Sequence, residues 1–290
     1  MAALVRAFPA SNLHIADLPY RLSSWALDDP ENAALWADAE GRLLAWAVMQ
    51  APFWAIDYAM DPQAGPGLHR RILAWADSRA RHVVGTPYGH PMWFVNVFAH
   101  QADRIRDLEA AGYACQADVG EDSWSKVLLL RPPGLAVPEC PIPPGFVLRP
   151  LAGQAEADAY VDLHRTVFES KSMTVEWRQR TLKQPEYLPD LDLVAVAPDG
   201  SLAAFCIAWL EAQSRLGQIE PLGVHPAWRN LGLGQGILSE ALRRLQACGA
   251  QQVCVETDEY RNPALALYES AGFRRARSVL VYRKDLDVPE

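Results

Sequence analysis

The stretch from Gln218 to Gly249 has the residue types and spacing that could bind a phosphate group. Its first part, up to Val224, is short and mixed in polarity, which indicates a strand. From Gly236 onward apolar residues recur every three or four positions, which indicates an amphipathic helix. The residues between them, from Arg229, read RNLGLGQG. A glycine-rich turn leading into a helix directs N–H groups into one concavity, where the helix dipole also favours an anion. A diphosphate is the expected ligand, and Arg229 either adds positive charge or braces the loop.

The spacing of the three glycines separates this turn from two other phosphate-binding motifs. A Walker A loop requires a Gly-Lys pair, which does not occur in the chain. The dinucleotide-binding fingerprint is G-x-G-x-x-G, whereas Gly232, Gly234 and Gly236 form G-x-G-x-G. The spacing therefore disfavours a dinucleotide-dependent oxidoreductase, but by itself it leaves a purely structural turn open.

A longer pattern around the turn resembles the acetyl-CoA motif of the GNAT superfamily, which is V-x-P-x-x-R-x-x-G-x-G followed by an amphipathic helix. Its elements in this chain are Val224, Pro226, Arg229, Gly232 and Gly234. The match extends the glycine spacing to a strand residue before the turn and an arginine within it. The resemblance implies that acetyl-CoA is the co-substrate.

A second motif further along the chain resembles the N-x-x-A-x-x-L-Y-x-x-x-G-F pattern of the same superfamily. Asn262 begins it, and Ala266–Tyr268 and Gly272-Phe273 complete it, with a one-residue difference in the spacing after Asn262. The resemblance covers Gly145 to Asp287 and implies acetyl transfer to a primary amine of a small molecule.

The resemblance also implies which residues hold the co-substrate. Loop residues would donate backbone N–H groups to the diphosphate, and strand residues would pair with the amide-containing pantetheine arm as a neighbouring strand would. Asn262 would contact that arm or cap the following helix. Pro221 predicts a bulge in the strand, because proline lacks a ladder donor. The implied binding residues are Leu222, Gly223, Val224, Arg229, Asn230, Leu231, Gly232, Leu233, Gly234, Gln235 and Asn262.

Two residues are candidates for the acid–base chemistry of acetyl transfer. Tyr268 is the candidate general acid, because a phenol with a pKa of about 10 stays protonated at neutral pH and can protonate a departing thiolate. Glu220 lies four residues before Val224, where many GNAT enzymes carry an acid, and is the candidate base for the amine. The alternatives are a core tyrosine and a solvated glutamate, with Asp258 and Glu259 as reserve bases.

Cys206 and Cys254 lie in apolar strand patterns, where cysteine usually behaves as a small hydrophobic residue. A covalent acyl-enzyme is therefore not expected. We predict direct transfer within a ternary complex, in which strand N–H groups stabilise the oxyanion.

The chain reads as two similar halves joined by a proline-rich segment, Arg131–Gly145, which has six prolines. Each half has an acidic-Gly turn between apolar runs, Leu35–Val48 and Val194–Trp209, which predicts a hairpin. Each then has a short amphipathic helix that ends at a glycine, within Asp103–Tyr113 and Pro263–Phe273. We predict two tandem GNAT-like α/β (α+β) domains at residues 1–131 and 146–290, with a linker at 132–145. Each should have a mixed, mostly antiparallel sheet flanked by helices.

The first domain is predicted to lack a working acyl-CoA site. When the halves are aligned through their helices, Leu108 and Ala102 stand where the second half has Tyr268 and its motif asparagine. The loop Asp61–Arg71 lacks the R-x-x-G-x-G spacing, and Pro66 removes one N–H from it.

Composition excludes several functional classes. The formal net charge of -8 disfavours nucleic-acid binding, and no apolar run approaches the roughly 20 residues of a membrane span. The histidines and the five cysteines lack metal-site spacing. We expect a cytoplasmic monomer or homodimer that binds no metal, nucleic acid or membrane. A noncatalytic acyl-CoA-binding or sensor protein is the alternative to an enzyme.

Overall fold

The computed structural model describes residues 1–65 and 67–286, which divide into two compact units. Unit 1 contains Met1–Val127, Asp258–Tyr260 and the segment that starts at Arg277. Unit 2 contains Leu128–Thr257 and Arg261–Ala276. Each unit thus includes residues from both halves of the sequence.

The domain boundaries drawn from the sequence stay a prediction, because they follow sequence repeats whereas the compact units follow contacts. Residues 287–290 of the second predicted domain lie outside the described residues. Pro66 lies outside them as well, and with it the predicted loss of one N–H group. The proline-rich segment 132–145 is held within unit 2, where Arg131 Nη2 donates to Leu135 O at 3.0 Å and to Ala136 O at 2.7 Å.

The helices and strands alternate along both halves of the chain. Up to residue 131 they are α1 (Ala2–Ala7), α2 (Leu18–Leu22), β1 (Ala33–Ala37), β2 (Leu43–Gln50), β3 (Ala55–Met60), α3 (Leu68–His82), β4 (Met92–Phe98), α4 (Ala102–Ala110), β5 (Ala114–Cys115) and β6 (Ser125–Arg131). After it they are β7 (Val147–Pro150), α5 (Ala157–Phe168), α6 (Val175–Thr181), β8 (Asp192–Val196), β9 (Leu202–Glu211), β10 (Leu216–Val224), α7 (Leu233–Ala247), β11 (Gln252–Asp258), α8 (Asn262–Ser270) and β12 (Arg274–Asp285).

The two predicted hairpins are confirmed, and both close through the same turn. Between β1 and β2, Gly41 N–H donates to Asp38 O at 3.1 Å, and between β8 and β9, Gly200 N–H donates to Ala197 O at 2.9 Å. The two glycines have φ angles of +82° and +86°. Each connection is longer than two residues, because the left-handed glycine adds a bulge after the turn.

The helices α4 and α8 end alike, as the sequence predicts. Gly112 and Gly272 follow them with φ angles of +85° and +88°. The N–H of Tyr113 donates to Leu108 O at 3.0 Å in the first half, and the N–H of Phe273 donates to Tyr268 O at 3.1 Å in the second. Left-handed glycines satisfy the last carbonyls of a helix in this way. Leu108 and Tyr268 therefore occupy equivalent positions.

Each unit has a mixed, mostly antiparallel sheet with helices, which confirms the predicted fold class. In unit 1 the strand order is β1-β2-β3-β4-β12, and β3–β4 is the parallel pair. In unit 2 the neighbouring strands are β7-β8-β9-β10-β11 in this order, and β10–β11 is a parallel pair. β12 pairs with β4 from Val279↔Phe98 to Asp285↔Met92. A strand from the second half of the sequence therefore joins the strands of unit 1.

Candidate active site

An open strand edge lies between β10 and β11 because these strands pair over only part of their length. Their parallel register covers Leu216–Gln218 against Gln252–Cys254. On its other side, β10 continues to pair with β9 up to Val224, after a one-residue register shift between Ile219 and Leu222. The predicted bulge at Pro221 is thus present. The β11-facing edge of residues 222–224 has no ladder partner in the described part of the chain, so an extended amide-containing ligand could pair there.

The N-terminus of α7 presents unpaired backbone N–H groups beside that edge. Asn230 and Gly232 have left-handed φ angles of +63° and +88°, and Gly232 is the N-cap. The first helical hydrogen bond runs from Gly236 N–H to Gly232 O at 3.0 Å. The three preceding N–H groups of the helix therefore have no intrahelical acceptor, which suits an anion.

The helix starts at Leu233, three residues before the predicted start at Gly236. Gly234 and Gly236 are therefore helical, and only Gly232 of the three glycines needs a left-handed conformation. A Cβ on Gly236 would lie 2.5 Å from Ile142 Cδ1 in the proline-rich segment, so close packing requires glycine there. The expectation that all three glycines shape the anion-binding turn is wrong for this reason.

The space between the end of β10, the start of α7 and α8 is called the slot. Two further sets of contacts hold its walls together. Arg229 is exposed, and its Nε donates to Val224 O at 3.3 Å, so its side chain braces the loop. A Cβ on Gly234 would lie 3.6 Å from Val224 Cγ2 and 3.6 Å from Leu267 Cδ2. The start of α7, the end of β10 and α8 therefore meet at one place.

Glu220 and Tyr268 share one electrostatic environment at this slot. Burial, followed by Cys206 and the Glu220 carboxylate, raises the pKa of Tyr268 far above its ordinary value. The Tyr268 ring is 6% exposed and packs edge-on against Phe273, with centroids 5.6 Å apart. Glu220 is half-buried, and its backbone carbonyl accepts a hydrogen bond from Trp209 Nε1 at 2.8 Å. Tyr268 is therefore a protonated phenol near a carboxylate, and it is also the core tyrosine of the alternative interpretation.

The other predicted residues have more ordinary surroundings. Burial raises the pKa of the fully buried Cys206 thiol, which leaves it protonated and a poor nucleophile. Asp258 Oδ1 accepts from Trp124 Nε1 at 2.8 Å within unit 1. Asn262 is the first residue of α8, is exposed, and follows the N-cap Arg261. Asn262 is thus not the helix cap, and its contact to a ligand stays a prediction.

A buried polar cluster beside Glu220 was missed by the sequence analysis. Arg178, fully buried, pairs with Asp192 and lies 3.9 Å above the Tyr160 ring. Its Nε and Nη1, the Tyr160 hydroxyl and His164 Nδ1 have no hydrogen-bond partner among residues 1–65 and 67–286. Burial raises the pKa of Tyr160, Arg178 opposes this shift, and the charges of Asp192 and Glu220 add to it. Charged residues inside the runs VEWRQRT and LDLVAVA were the available sequence signal.

Within residues 1–65 and 67–286, no group of three or more His, Cys, Asp or Glu side chains is arranged to hold a metal ion. Across the same residues, no helix has the length and apolar character needed to cross a bilayer.

Residues 157–273 match the Acetyltransferase (GNAT) family. The match includes β10, the turn, α7 and the motif on α8. The layout expected from the sequence, a divergent domain followed by a GNAT domain, is similar to that of mycothiol synthase.

The curated relatives of this chain are named as acetyltransferases. The mycothiol acetyltransferase of Kineococcus radiotolerans is 36% identical over 152 residues, 51% of this chain and 48% of that protein. The mycothiol acetyltransferase of Salinispora tropica is 32% identical over 157 residues, 51% of this chain and 50% of that protein. The chain therefore matches about half the length of these relatives.

Two solved structures share the fold over most of the chain. A GCN5-related N-acetyltransferase from Sphaerobacter thermophilus has a TM-score of 0.66 at 22% identity, covering 88% of this chain and 81% of that one. A tandem GNAT protein from the clavulanic acid biosynthesis pathway has a TM-score of 0.62 at 16% identity, covering 89% and 85%. At these identities the likeness shows the fold alone.

Proposed function

We propose that this protein is an acetyl-CoA-dependent N-acetyltransferase whose active site is the β10–α7–α8 slot of unit 2. The observation that carries the proposal is that Glu220 and Tyr268 share one environment where the β10–β11 ladder ends. A noncatalytic acyl-CoA sensor would need neither a carboxylate nor a phenol at this point.

The backbone of unit 2 supplies the binding groups for acetyl-CoA, which brings the activated acetyl group. The N–H groups at the start of α7 would hold the diphosphate, and the open edge of Leu222–Val224 would hold the pantetheine arm. A Cβ on Gly234 would be in van der Waals contact with Val224 and Leu267, so the start of α7 lies directly beside the end of β10 and α8. The residues present therefore fit the co-substrate.

Glu220 is the proposed general base. A primary amine with a pKa of about 10.4 arrives as an ammonium ion, and its nitrogen cannot attack until one proton leaves. Glu220 accepts that proton directly or through water, and the free nitrogen pair then forms the bond to the acetyl carbonyl carbon. A β10 N–H group that has no ladder partner stabilises the negative oxygen.

Tyr268 is the proposed general acid. When the carbon–sulfur bond breaks, its electron pair leaves on sulfur as a thiolate. Burial keeps the Tyr268 phenol protonated at neutral pH, and the phenol donates its proton to that sulfur. No hydrogen-bond partner for this hydroxyl is found within the described residues, so the donor is available. Direct transfer also agrees with the protonated, buried Cys206 thiol.

A small-molecule amine is the proposed acceptor. The matched relatives are named mycothiol acetyltransferases, so an amine of the mycothiol type is the first acceptor to test. The buried cluster around Arg178 and Tyr160 supports an acceptor pocket on the α5–α6 side of Glu220. Polar atoms of this cluster have no hydrogen-bond partner within the described residues, and a bound acceptor could supply one.

Thermal unfolding with and without acetyl-CoA tests the binding half of the proposal. A ligand at 100 times its dissociation constant stabilises the folded state by about 2.7 kcal/mol. We expect a rise in Tm for the wild-type protein and none for the Gly232→Pro/Gly234→Pro variant. An unchanged wild-type Tm at millimolar acetyl-CoA contradicts the assignment. Binding without thiol release for any amine would instead identify a sensor.

A further inference from the structure

We propose that Arg131 is a positioning residue for acetyl transfer, because it holds the end of α8 and through it the Tyr268 hydroxyl. The inference rests on the proposed function of the slot, since it assigns a further residue to the same reaction. Arg131 ends β6 and is 3% exposed, and the residues that it binds belong to unit 2. Neither of the two sequence motifs includes this arginine.

Helix α8 depends on contacts outside itself for its position. It has nine residues, of which Leu265 and Tyr268 are buried. A helix of this length is marginal in water, so tertiary packing fixes it in place. The last turn of α8 carries no basic residue that could interact with its terminal carbonyls. A positive charge supplied from another element therefore stabilises this end of the helix.

Arg131 supplies that charge by direct contact. Its Nε donates to Ala271 O at 2.8 Å, and Ala271 is the C-cap residue of α8. The N–H of Ala271 donates in turn to Tyr268 O at 3.0 Å. A hydrogen bond from a charged donor is about twice as strong as one between neutral groups. A single residue therefore links the Arg131 guanidinium to the backbone of the proposed acid.

The proline-rich segment holds the other side of the guanidinium. Arg131 Nη2 donates to Leu135 O at 3.0 Å and to Ala136 O at 2.7 Å. The Leu135 side chain also closes on the end of α8, since a Cβ on Gly272 would lie 3.2 Å from Leu135 Cδ1. Proline restricts the backbone, so the six prolines of this segment keep the two carbonyls in place. The Arg131 side chain is thus fixed in one orientation.

The same segment contacts α7, which forms another wall of the slot. Ile142 packs on the first turn of α7, where a Cβ on Gly236 would lie 2.5 Å from Ile142 Cδ1. Near the other end of α7, Gln246 Nε2 donates to Leu135 O at 3.2 Å. The segment therefore sets α8 relative to α7. Because one molecule of co-substrate joins the diphosphate to the sulfur, this spacing decides whether the Tyr268 hydroxyl reaches the sulfur.

Arg131→Met tests the proposal, because it removes the charge and the three hydrogen bonds but keeps a long side chain. We expect kcat to fall about tenfold or more, since a displacement of about 1 Å can cost about a hundredfold. Acetyl-CoA affinity, measured by titration calorimetry, should be unchanged. Thiol release from acetyl-CoA is measured with the fastest acceptor in a panel of glucosamine, spermidine and glycinamide.

Arg149→Met is the matched control. Arg149 lies on β7 and also binds a carbonyl, since its Nη1 donates to Pro150 O at 3.0 Å. Loss of this contact should lower Tm but leave kcat unchanged. A fall in kcat as large as that of Arg131→Met would show that the effect of Arg131 is general destabilisation, which overturns the proposal.

A double-mutant cycle with Tyr268→Phe separates positioning from stability. If Arg131 acts through the Tyr268 hydroxyl, Arg131→Met should lower kcat by less than about twofold in the Tyr268→Phe protein. An equal loss in both backgrounds, or wild-type kcat in Arg131→Met alone, contradicts the proposal. If Arg131→Met does not fold, Arg131→Lys takes its place in the cycle, since lysine keeps the charge but lacks the planar fork.

Hydrogen exchange distinguishes failure of this proposal from failure of the proposed function. Exchange of the amides of residues 265–273, measured by mass spectrometry on the whole protein, requires no acceptor. Faster exchange in Arg131→Met than in Arg149→Met supports the link from Arg131 to α8, and equal exchange overturns it even if no amine is acetylated. Wild-type kcat in Tyr268→Phe would overturn the proposed acid, and with it the role of Arg131 in transfer.

Discussion

Helix α3 of unit 1 and helix α7 of unit 2 begin in the same way, yet their surroundings differ. Both are 15 residues long and both have a left-handed glycine N-cap, Gly67 and Gly232. At the equivalent position on the following helix, however, unit 1 has Leu108 and unit 2 has Tyr268. One residue with a positive φ angle is enough to preserve an anion-binding helix start. Catalysis requires particular side chains, so catalytic activity can be lost while the backbone conformation is retained.

The two regions also differ in the groups that face their cavities. Unit 2 combines its helix start with Glu220 and Tyr268, which suits proton transfer. The helix start of unit 1 lies beside a cavity whose wall includes Arg104, His69, Asp103 and Asp107. The comparison therefore predicts acetyl transfer in unit 2 alone.

The largest expected effect is that of Glu220→Gln. Removal of a general base lowers kcat by about two to four orders of magnitude, while acetyl-CoA affinity should stay unchanged. Glu269→Gln, an exposed glutamate on α8, is the matched control. Steady-state assays of thiol release measure both variants. A kcat of Glu220→Gln within twofold of the wild type would contradict the role of Glu220 as general base and would favour a noncatalytic sensor.

The next effect concerns acid stability through His164 of unit 2. Burial, then the charges of Arg178 and Arg165, lower its pKa to about 3. The unfolded state, with a pKa of 6.5, binds more protons between these values, so stability is full above pH 6.5 and lost as pH falls. We expect a loss of about 2.7 kcal/mol between about pH 7.5 and 4.5 from this group. Urea unfolding of His164→Gln should show a flatter pH profile, and an unchanged slope contradicts the prediction.

Tyr268→Phe should lower kcat by about two orders of magnitude, because it removes only the acidic hydroxyl. The ring still packs on Phe273, so the free energy of unfolding should change little. The reciprocal change, Leu108→Tyr, places a phenol in unit 1 and should add no transfer activity. If Leu108→Tyr restored thiol release to the Tyr268→Phe protein, the assignment of catalysis to unit 2 alone would be wrong.

The smallest effects are expected from alanine at the two N-caps. No atom lies within 4 Å of a Cβ on Gly232, and Arg70 Nη2 lies 3.6 Å from one on Gly67, so the cost is conformational. A left-handed alanine costs about 1–2 kcal/mol, and denaturant unfolding should show similar losses in both variants. Acetyl-CoA affinity should fall in Gly232→Ala only. A loss in both would place the co-substrate in both units.

The features predicted correctly from the sequence are local ones. The hairpin turns at Gly41 and Gly200 and the helix ends at Gly112 and Gly272 depend on left-handed residues between apolar runs. Such positions favour glycine whatever surrounds them. The bulge at Pro221 follows from the same kind of reasoning, because proline lacks a donor wherever it stands.

The start of α7 was placed too late because its glycines read as loop residues. Gly236 is helical, and glycine is required there because a Cβ would collide with Ile142. This contact joins residues that are far apart in the sequence. The buried pair Arg178–Asp192 was missed for a similar reason, since each residue alone reads as a surface charge. Its burial becomes visible only once α6 and β8 are packed.

The sequence by itself determined the repeated secondary structure, the glycine turns and the two motifs that resemble those of the GNAT family, because each depends on residues close together in the chain. Only the tertiary structure decided the three non-local features. These are the pairing of β12 with β4, the shared environment of Glu220 and Tyr268, and the cavity beside His69. Strand pairing, burial and the electrostatic effect of one side chain on another depend on distances in space, and those distances follow from packing.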